Sequence, residues 1–276
     1  MKKLLLFFLL FVSNVGFGQV VYSNSEDPKF IAMLKNGVTF IPSSNQERSA
    51  AIYAALEKNW KVSSLRIYNS EVELQADDIV IMETTFSVFT TTNRISDDML
   101  IWVRFGDLSK DQNPIVVGRI STNGFTNDSK DPTLTAFWDL AISGVNDVVQ
   151  VIKNENLVKK KSKISAEVSN KILPKAKVLE TKTLLIHYGI EQYVDTKALD
   201  SNKIRYKVIN SETFNELAEA ERSQSCLLYY SKNVYTEVSI FDLSNNSLIY
   251  TKRFLNAKRQ FALTDILEIS ELWMQP

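Results

Sequence analysis

Two kinds of apolar spacing alternate along this chain. Short runs that are continuous or have period two read as strands, and stretches with apolar residues every three to four positions read as helices. Val38–Ile41 is a short buried strand on this reading. Ser44-Asn45-Gln46-Glu47 has the form of a capping box, with Ser at the N-cap and Glu three residues on. Behind it Ile52, Ala55, Leu56 and Trp60 fall on one helical face. Val62–Tyr68 is a β-branched strand, and Ser70 is placed to cap a short helix through Leu74. Asp78–Phe86, Met99–Phe105 and Pro114–Ile120 read as three strands, with Thr90–Asp98 as an inserted mobile loop and Asp107–Asn113 as a polar turn. Leu134, Trp138, Ala141, Val145, Val148 and Ile152 give the strongest helical stripe.

The same order of elements then recurs. Thr183–Tyr188, Ile204–Ile209, Leu227–Tyr230, Glu237–Phe241 and Leu248–Phe254 read as strands. Glu191–Leu199 and Ser211–Glu221 read as helices, and Leu263, Ile266, Leu267 and Trp273 mark a last one. Local markers repeat too. Leu65-Arg66-Ile67-Tyr68-Asn69-Ser70-Glu71 has its counterpart in Tyr206-Lys207-Val208-Ile209-Asn210-Ser211-Glu212, and Asp107-Leu108-Ser109 in Asp242-Leu243-Ser244. The expectation is an α+β fold of two tandem β-α-β-α-β-β-β-α repeats, each a mixed sheet packed by helices. The repeated Asn-Ser-Glu is explained by helix capping, Ser accepting a backbone N–H and Glu suiting the positive helix end. Each copy ends in a hairpin whose outer strand offers an edge to a partner strand.

The expected boundaries are a signal peptide at 1–18, a polar lead-in at 19–28, a first repeat at 29–153, a basic linker at 154–177 and a second repeat at 178–276. The signal has Lys2 and Lys3, the apolar Leu4–Val12 and the small-x-small site Gly16-Phe17-Gly18. Cleavage there leaves Gln19 first, and Leu4–Val12 is too short to span a bilayer. The expected address is periplasmic or secreted. From Lys153 to Lys177 eight lysines face only Glu155 and Glu167, a net of +6. That reads as a solvated linker, with electrostatic contact to an anionic surface such as lipid headgroups or lipopolysaccharide as the sharper reading.

Composition narrows the function more by exclusion. Apolar residues at 45% and charged residues at 23% allow an ordinary core. Without Lys2 and Lys3, 30 basic residues face 32 acidic ones, which argues against nucleic acid as a partner. Cys226 is the single cysteine, so no internal disulfide forms, and its apolar run makes it a small buried hydrophobe. His187 is the single histidine, at the end of a strand where α/β folds often hold ligands. A lone strand-end His is the structural reading. HExxH, CxxC, GxSxG, GxGxxG and GxxxxGK spacings do not occur. Asp77-Asp78 and Asp97-Asp98 are adjacent pairs that point apart, and the sets Asp107, Asp111, Asn113 and Asn127, Asp128, Asp131 read as turn chemistry. The four tryptophans fall in apolar stripes or strands and read as core. No catalytic, cofactor-binding or metal residue is assigned, and no cofactor is expected.

The unit Val238-Ser239-Ile240-Phe241-Asp242-Leu243-Ser244-Asn245-Asn246, continuing Leu248-Ile249-Tyr250, resembles one in several envelope proteins. These are the TolB amino-terminal domain, the curli secretion protein CsgG and the lipoprotein activators of penicillin-binding proteins. The opening Val38-Thr39-Phe40-Ile41-Pro42 is similar to their start. The chain lacks the lipid-anchor Cys and a β-propeller region. The resemblance implies a binding role in the envelope and transfers no functional residue. The expected function is an exported, non-enzymatic adaptor or scaffold of the Gram-negative envelope, acting on an unidentified protein partner. The alternatives are a periplasmic hydrolase of glycan or peptide, and a small-ligand binder using the cleft between repeats.

Overall fold

The structure, a computed structural model, describes residues 32–89, 94–108, 116–121, 133–157, 164–232, 236–254 and 260–274. The expected signal peptide and lead-in, and Asp111, Asn113, Asn127, Asp128 and Asp131, lie outside them.

Gly37, at φ 95°, starts β1 (Val38–Ile41). A Cβ at Gly37 would stand 2.3 Å from Ser64 Oγ, so the close approach to the segment before β2 requires glycine. Pro42 lacks an N–H and ends the strand. The cap of α1 (Gln46–Asn59) is Asn45 rather than Ser44: Asn45 Oδ1 accepts from Arg48 N at 3.0 Å. Ile52, Ala55 and Leu56 are buried on one face, as their spacing predicts.

β2 (Leu65–Ile67) lies parallel to β1, and the expected helix after it does not form. Asn69 Oδ1 accepts from Glu71 N at 2.9 Å, closing a local turn, and Asp78 Oδ2 accepts from Gln75 N at 2.8 Å. These side chains satisfy the backbone that a helix would have served, and Val72 and Leu74 are only half-buried. β3 (Ile79–Phe89) and β4 (Arg94–Arg104) form one hairpin, paired from Ile79↔Arg104 to Phe89↔Arg94. Residues 94–98, expected in a loop, therefore belong to a strand, and 90–93 lie outside the described residues. α2 (Phe105–Leu108) replaces the start of the expected turn. Gly106 permits this, because a Cβ there would meet Ala76 O at 2.7 Å. β5 (Val116–Ser121) and the long α3 (Thr133–Asn154) complete this half.

The segment expected as a linker is built into the fold over its described part. α4 (Ile164–Ile172) and a 3-10 helix, Leu173–Glu180, bury Val168, Ile172, Ala176 and Leu179. β6 (Thr183–His187) follows, then a 3-10 turn Tyr188–Tyr193 and α5 (Thr196–Ser201), capped by Asp195 Oδ1 on Ala198 N. After β7 (Tyr206–Ile209), Asn210 Oδ1 caps α6 (Ser211–Asn215) through Thr213 N at 2.8 Å. Asn thus supplies a capping hydrogen bond in both Asn-Ser-Glu motifs. Here a helix does form, because Phe214 and Leu217 anchor it in the core. It stops early and α7 (Glu219–Ser223) follows. β8 (Ser225–Lys232), β9 (Thr236–Asp242), β10 (Ser247–Phe254) and α8 (Leu263–Ser270) close the chain, with a final 3-10 turn Glu271–Met274.

The fold is α+β with two mixed sheets packed by helices. Their orders are β2-β1-β3-β4-β5 and β7-β6-β8-β9-β10, with the first two pairings parallel and the last two antiparallel in each. The sequence markers agree with this correspondence in one case and depart from it in another. Val38 faces Leu65 and Ile79, while Leu184 faces Tyr206 and Cys226, so Asn69 and Asn210 hold the same ladder position. Asp107 and Asp242 do not. Arg104 faces Ile79 as Asp242 faces Cys226, and Asp107 has passed into α2. A repeat of eight matching elements is not established, because one half lacks the second helix.

α3 lies between the sheets. Val38, Phe40, Ile81 and Trp102 of the first sheet and Leu185, Leu227, Tyr229 and Phe241 of the second share one buried cluster with it. Phe137 stacks on Tyr229 with centroids 5.4 Å apart. The other face of the second sheet packs on α5, α8 and the 3-10 helix Leu173–Glu180. Among the described residues, no helix is long and apolar enough to cross a membrane.

Candidate functional site

The carboxyl ends of β1 and β6 are switch points, because each strand's two parallel neighbours lie on opposite sides. At the end of β1, Ser43 N donates to Ser49 Oγ at 2.9 Å, and the two hydroxyls are 3.1 Å apart. Arg48, in the first turn of α1, pairs with Glu83 of β3 and lays its guanidinium over Trp138, 5.5 Å from the ring centroid. These polar groups are engaged with one another, and they fix β3 where it leaves the shelter of β1.

At the end of β6, His187 Nδ1 accepts from Gly189 N at 3.2 Å. That bond starts the 3-10 turn. The structure thus gives the single histidine a local capping part.

Among the described residues, the most desolvated ion pair joins Lys182, just before β6, to Asp242 at the end of β9. Lys182 Nζ stands 2.6 Å from Asp242 Oδ1 and 3.0 Å from Ser244 Oγ. Asp242 Oδ1 also accepts from Ser244 N and Ser244 Oγ at 2.9 and 2.7 Å. Burial pushes the Asp242 carboxyl up, but these hydrogen bonds and the charge of Lys182 outweigh it and hold the group below the ordinary carboxylate range. Cys226 faces Asp242 across the ladder and is fully buried. Burial, reinforced by the Asp242 charge and opposed by Lys182, pushes its thiol up to about 12. A thiol held in that form is a poor nucleophile. The cluster locks the β9–β10 turn to the start of β6.

A second carboxylate works at the join between the halves. Asp147 of α3 accepts from Leu248 N of β10 at 2.9 Å, with Lys175 Nζ 3.7 Å away. Burial raises its pKa, against the Lys175 charge and the Leu248 N–H. Ser169 of α4 donates to Thr251 O at 2.9 Å. Side chains from α3 and α4 therefore occupy the outer edge of β10, the edge expected to receive a partner strand.

The remaining candidates are dispersed. Asp77 is exposed, while Asp78 accepts from Gln75 N and stands 3.8 Å from Arg66. Asp97 and Asp98 are consecutive in β4, and Asp107 sits in α2. Two lysines of the basic segment are spent locally, Lys171 on Glu155 at 3.0 Å and Lys175 on Asp147. Trp60, Trp102 and Trp138 are buried and Trp273 is partly so. Among the described residues, no group of three or more His, Cys, Asp or Glu is arranged to hold a metal.

Sequence spacing missed one surface feature. Leu263 and Leu267 on α8 and Met274 in the final 3-10 turn are 46%, 38% and 78% exposed. Their spacing places them along one line opposite the buried Asp265, Ile266 and Ile269. The spacing of Leu263, Ile266, Leu267 and Trp273 marks a helix without separating the exposed pair from the buried Ile266, because helical period alone cannot say where a wide apolar stripe ends. A comparison of the chain with known protein families and with curated proteins finds no match.

Proposed function

We propose that this chain is an exported, non-enzymatic adaptor of a Gram-negative cell envelope that works by binding a protein partner, in the periplasm or outside the cell. The observation that carries the reading is the exposed line Leu263–Leu267–Met274 on the C-terminal helix. Large side chains aligned on the outside of an otherwise buried helix mark a contact surface more often than a catalytic one. The export signal read from Met1–Gly18 and the resemblance to envelope domains give the setting. The basic segment's contact with an anionic surface and the common descent of the two halves belong to the same proposal.

The test is affinity capture of envelope partners by the mature chain and by a Leu263→Glu/Leu267→Glu variant of unchanged circular dichroism. The adaptor reading expects a specific partner with wild type and its loss with the variant. A hydrolytic activity of the purified chain that His187→Ala abolishes, with the fold unchanged, would overturn it.

A further inference from the structure

β1 pairs with β3 only as far as Ile41↔Met82, and β5 pairs with β4 only from Met99 onward. The β3–β4 hairpin nevertheless continues to Phe89↔Arg94. From Glu83 to Phe89, about 20 Å at the usual strand rise, β3 has β4 as its one strand neighbour among the described residues. The chain turns from Ile41 through Pro42, which has no N–H to donate, toward α1, and among the described residues no strand takes the slot beside β3. A two-stranded ribbon is marginal alone, and a row of edge N–H and C=O groups is a template for another strand.

We propose that this edge is a self-association surface, on which Thr84–Phe89 pairs antiparallel with the same segment of a second copy. The composition of the two arm strands selects both the edge and the occupant. Thr84-Thr85-Phe86-Ser87-Val88-Phe89 has no charge, no proline and no glycine, and it is rich in β-branched and aromatic residues. Such segments pair with copies of themselves without setting like charges opposite. The β4 side carries Arg94, Asp97 and Asp98, the kind of residues that guard an edge. The second half shows the contrast. β8 passes its last β6 partner, Leu228, by only Tyr229–Lys232 and ends in a lysine. Arg48 and Trp138 hold Glu83 at the base of the arm, so the edge is presented from a fixed point. An antiparallel pairing of identical strands is two-fold and closed, so assembly stops at the dimer.

The test uses the mature full chain. Light scattering behind size exclusion reads its mass, for wild type and for a Thr85→Lys/Ser87→Lys variant of unchanged circular dichroism. The wild type is expected to run as a dimer at micromolar concentration, and the variant to dissociate about tenfold more readily or worse. Independently, Thr85→Cys/Val88→Cys and Phe86→Cys/Ser87→Cys double variants, whose cysteines face each other across the two-fold between Phe86 and Ser87, are oxidised and scored for disulfide-linked dimers; the buried Cys226 does not compete. A linked dimer from these positions supports the pairing even if the lysine variant fails to fold. A monomeric wild type, an assembly larger than a dimer, a dimer indifferent to the lysines, or no cross-link from either cysteine pair would overturn it. None of these outcomes bears on partner capture through the C-terminal helix.

Discussion

Phe137→Ala attacks the join between the two sheets. Phe137 lies in the first turns of α3, is 3% exposed, and stacks on Tyr229 of the second sheet at 5.4 Å with planes 23° apart. Truncating a buried Phe to Ala costs about 3–5 kcal/mol, of which roughly 0.5–1.5 kcal/mol belongs to the aromatic pair. A domain holds ~5–15 kcal/mol in all, so a loss of this size takes a large fraction of the margin. Equilibrium urea unfolding gives the total loss. Native-state hydrogen exchange read by mass spectrometry gives its distribution. If the core is continuous through α3, amides of β1 and β3 and amides of β6 and β8 lose protection together and by similar amounts. The reasoning is refuted if the second-sheet amides keep their protection while those around α3 lose it, or if the total loss is under ~1 kcal/mol.

Three further outcomes follow from the charged groups. Lys182→Met strands the buried Asp242 carboxylate and should cost about 3–5 kcal/mol in urea unfolding at pH 7. Because the folded pKa of Asp242 is depressed, the stability it lends the wild type is present above the unfolded value near ~3.9 and is lost as pH falls through the folded value. The penalty of the variant should therefore shrink in acid, and a pH-independent penalty would contradict the pairing. Asp147 is raised instead, so its ionised form burdens the fold above its folded pKa and protonation relieves it. Asp147→Asn keeps an acceptor for Leu248 N–H, and relative to wild type it should gain more at pH 7 than near pH 4; the reverse trend in denaturant midpoints would refute the sign. Cys226 should resist a thiol reagent at pH 8 until the chain unfolds, and labelling of the native chain at the rate of a free thiol would show the site to be open.

The mixed character of both sheets was legible in the sequence because both halves place a βαβ start before a meander, and the buried strands announce themselves by content. Individual helices were less so. Ser44 and Asn45 are both good caps, and only the backbone path decides that Asn45 is used. Asn69-Ser70-Glu71 and Asn210-Ser211-Glu212 look alike, yet only the second opens a helix, because Phe214 and Leu217 are buried in the main core while Val72 and Leu74 are only half-buried. The lysine-rich segment read as linker because charge hid Val168, Ile172 and Ala176, three core residues at helical spacing. Of the surfaces, neither the open edge of β3 nor the exposed line on α8 follows from local pattern. Both depend on where a neighbouring element stops.

Everything turns on α3 serving two sheets at once. The most direct test is the isolated segment 160–276, followed by its proton–nitrogen NMR spectrum with and without a synthetic peptide spanning 133–157. Alone, the segment exposes Leu185, Leu227, Tyr229, Phe241 and Leu248, which α3 covers in the whole chain. The expected result is a collapsed or aggregating spectrum that becomes dispersed when the α3 peptide is added. A sharp, dispersed spectrum from the segment by itself would show the second sheet to be an independent domain and contradict the account.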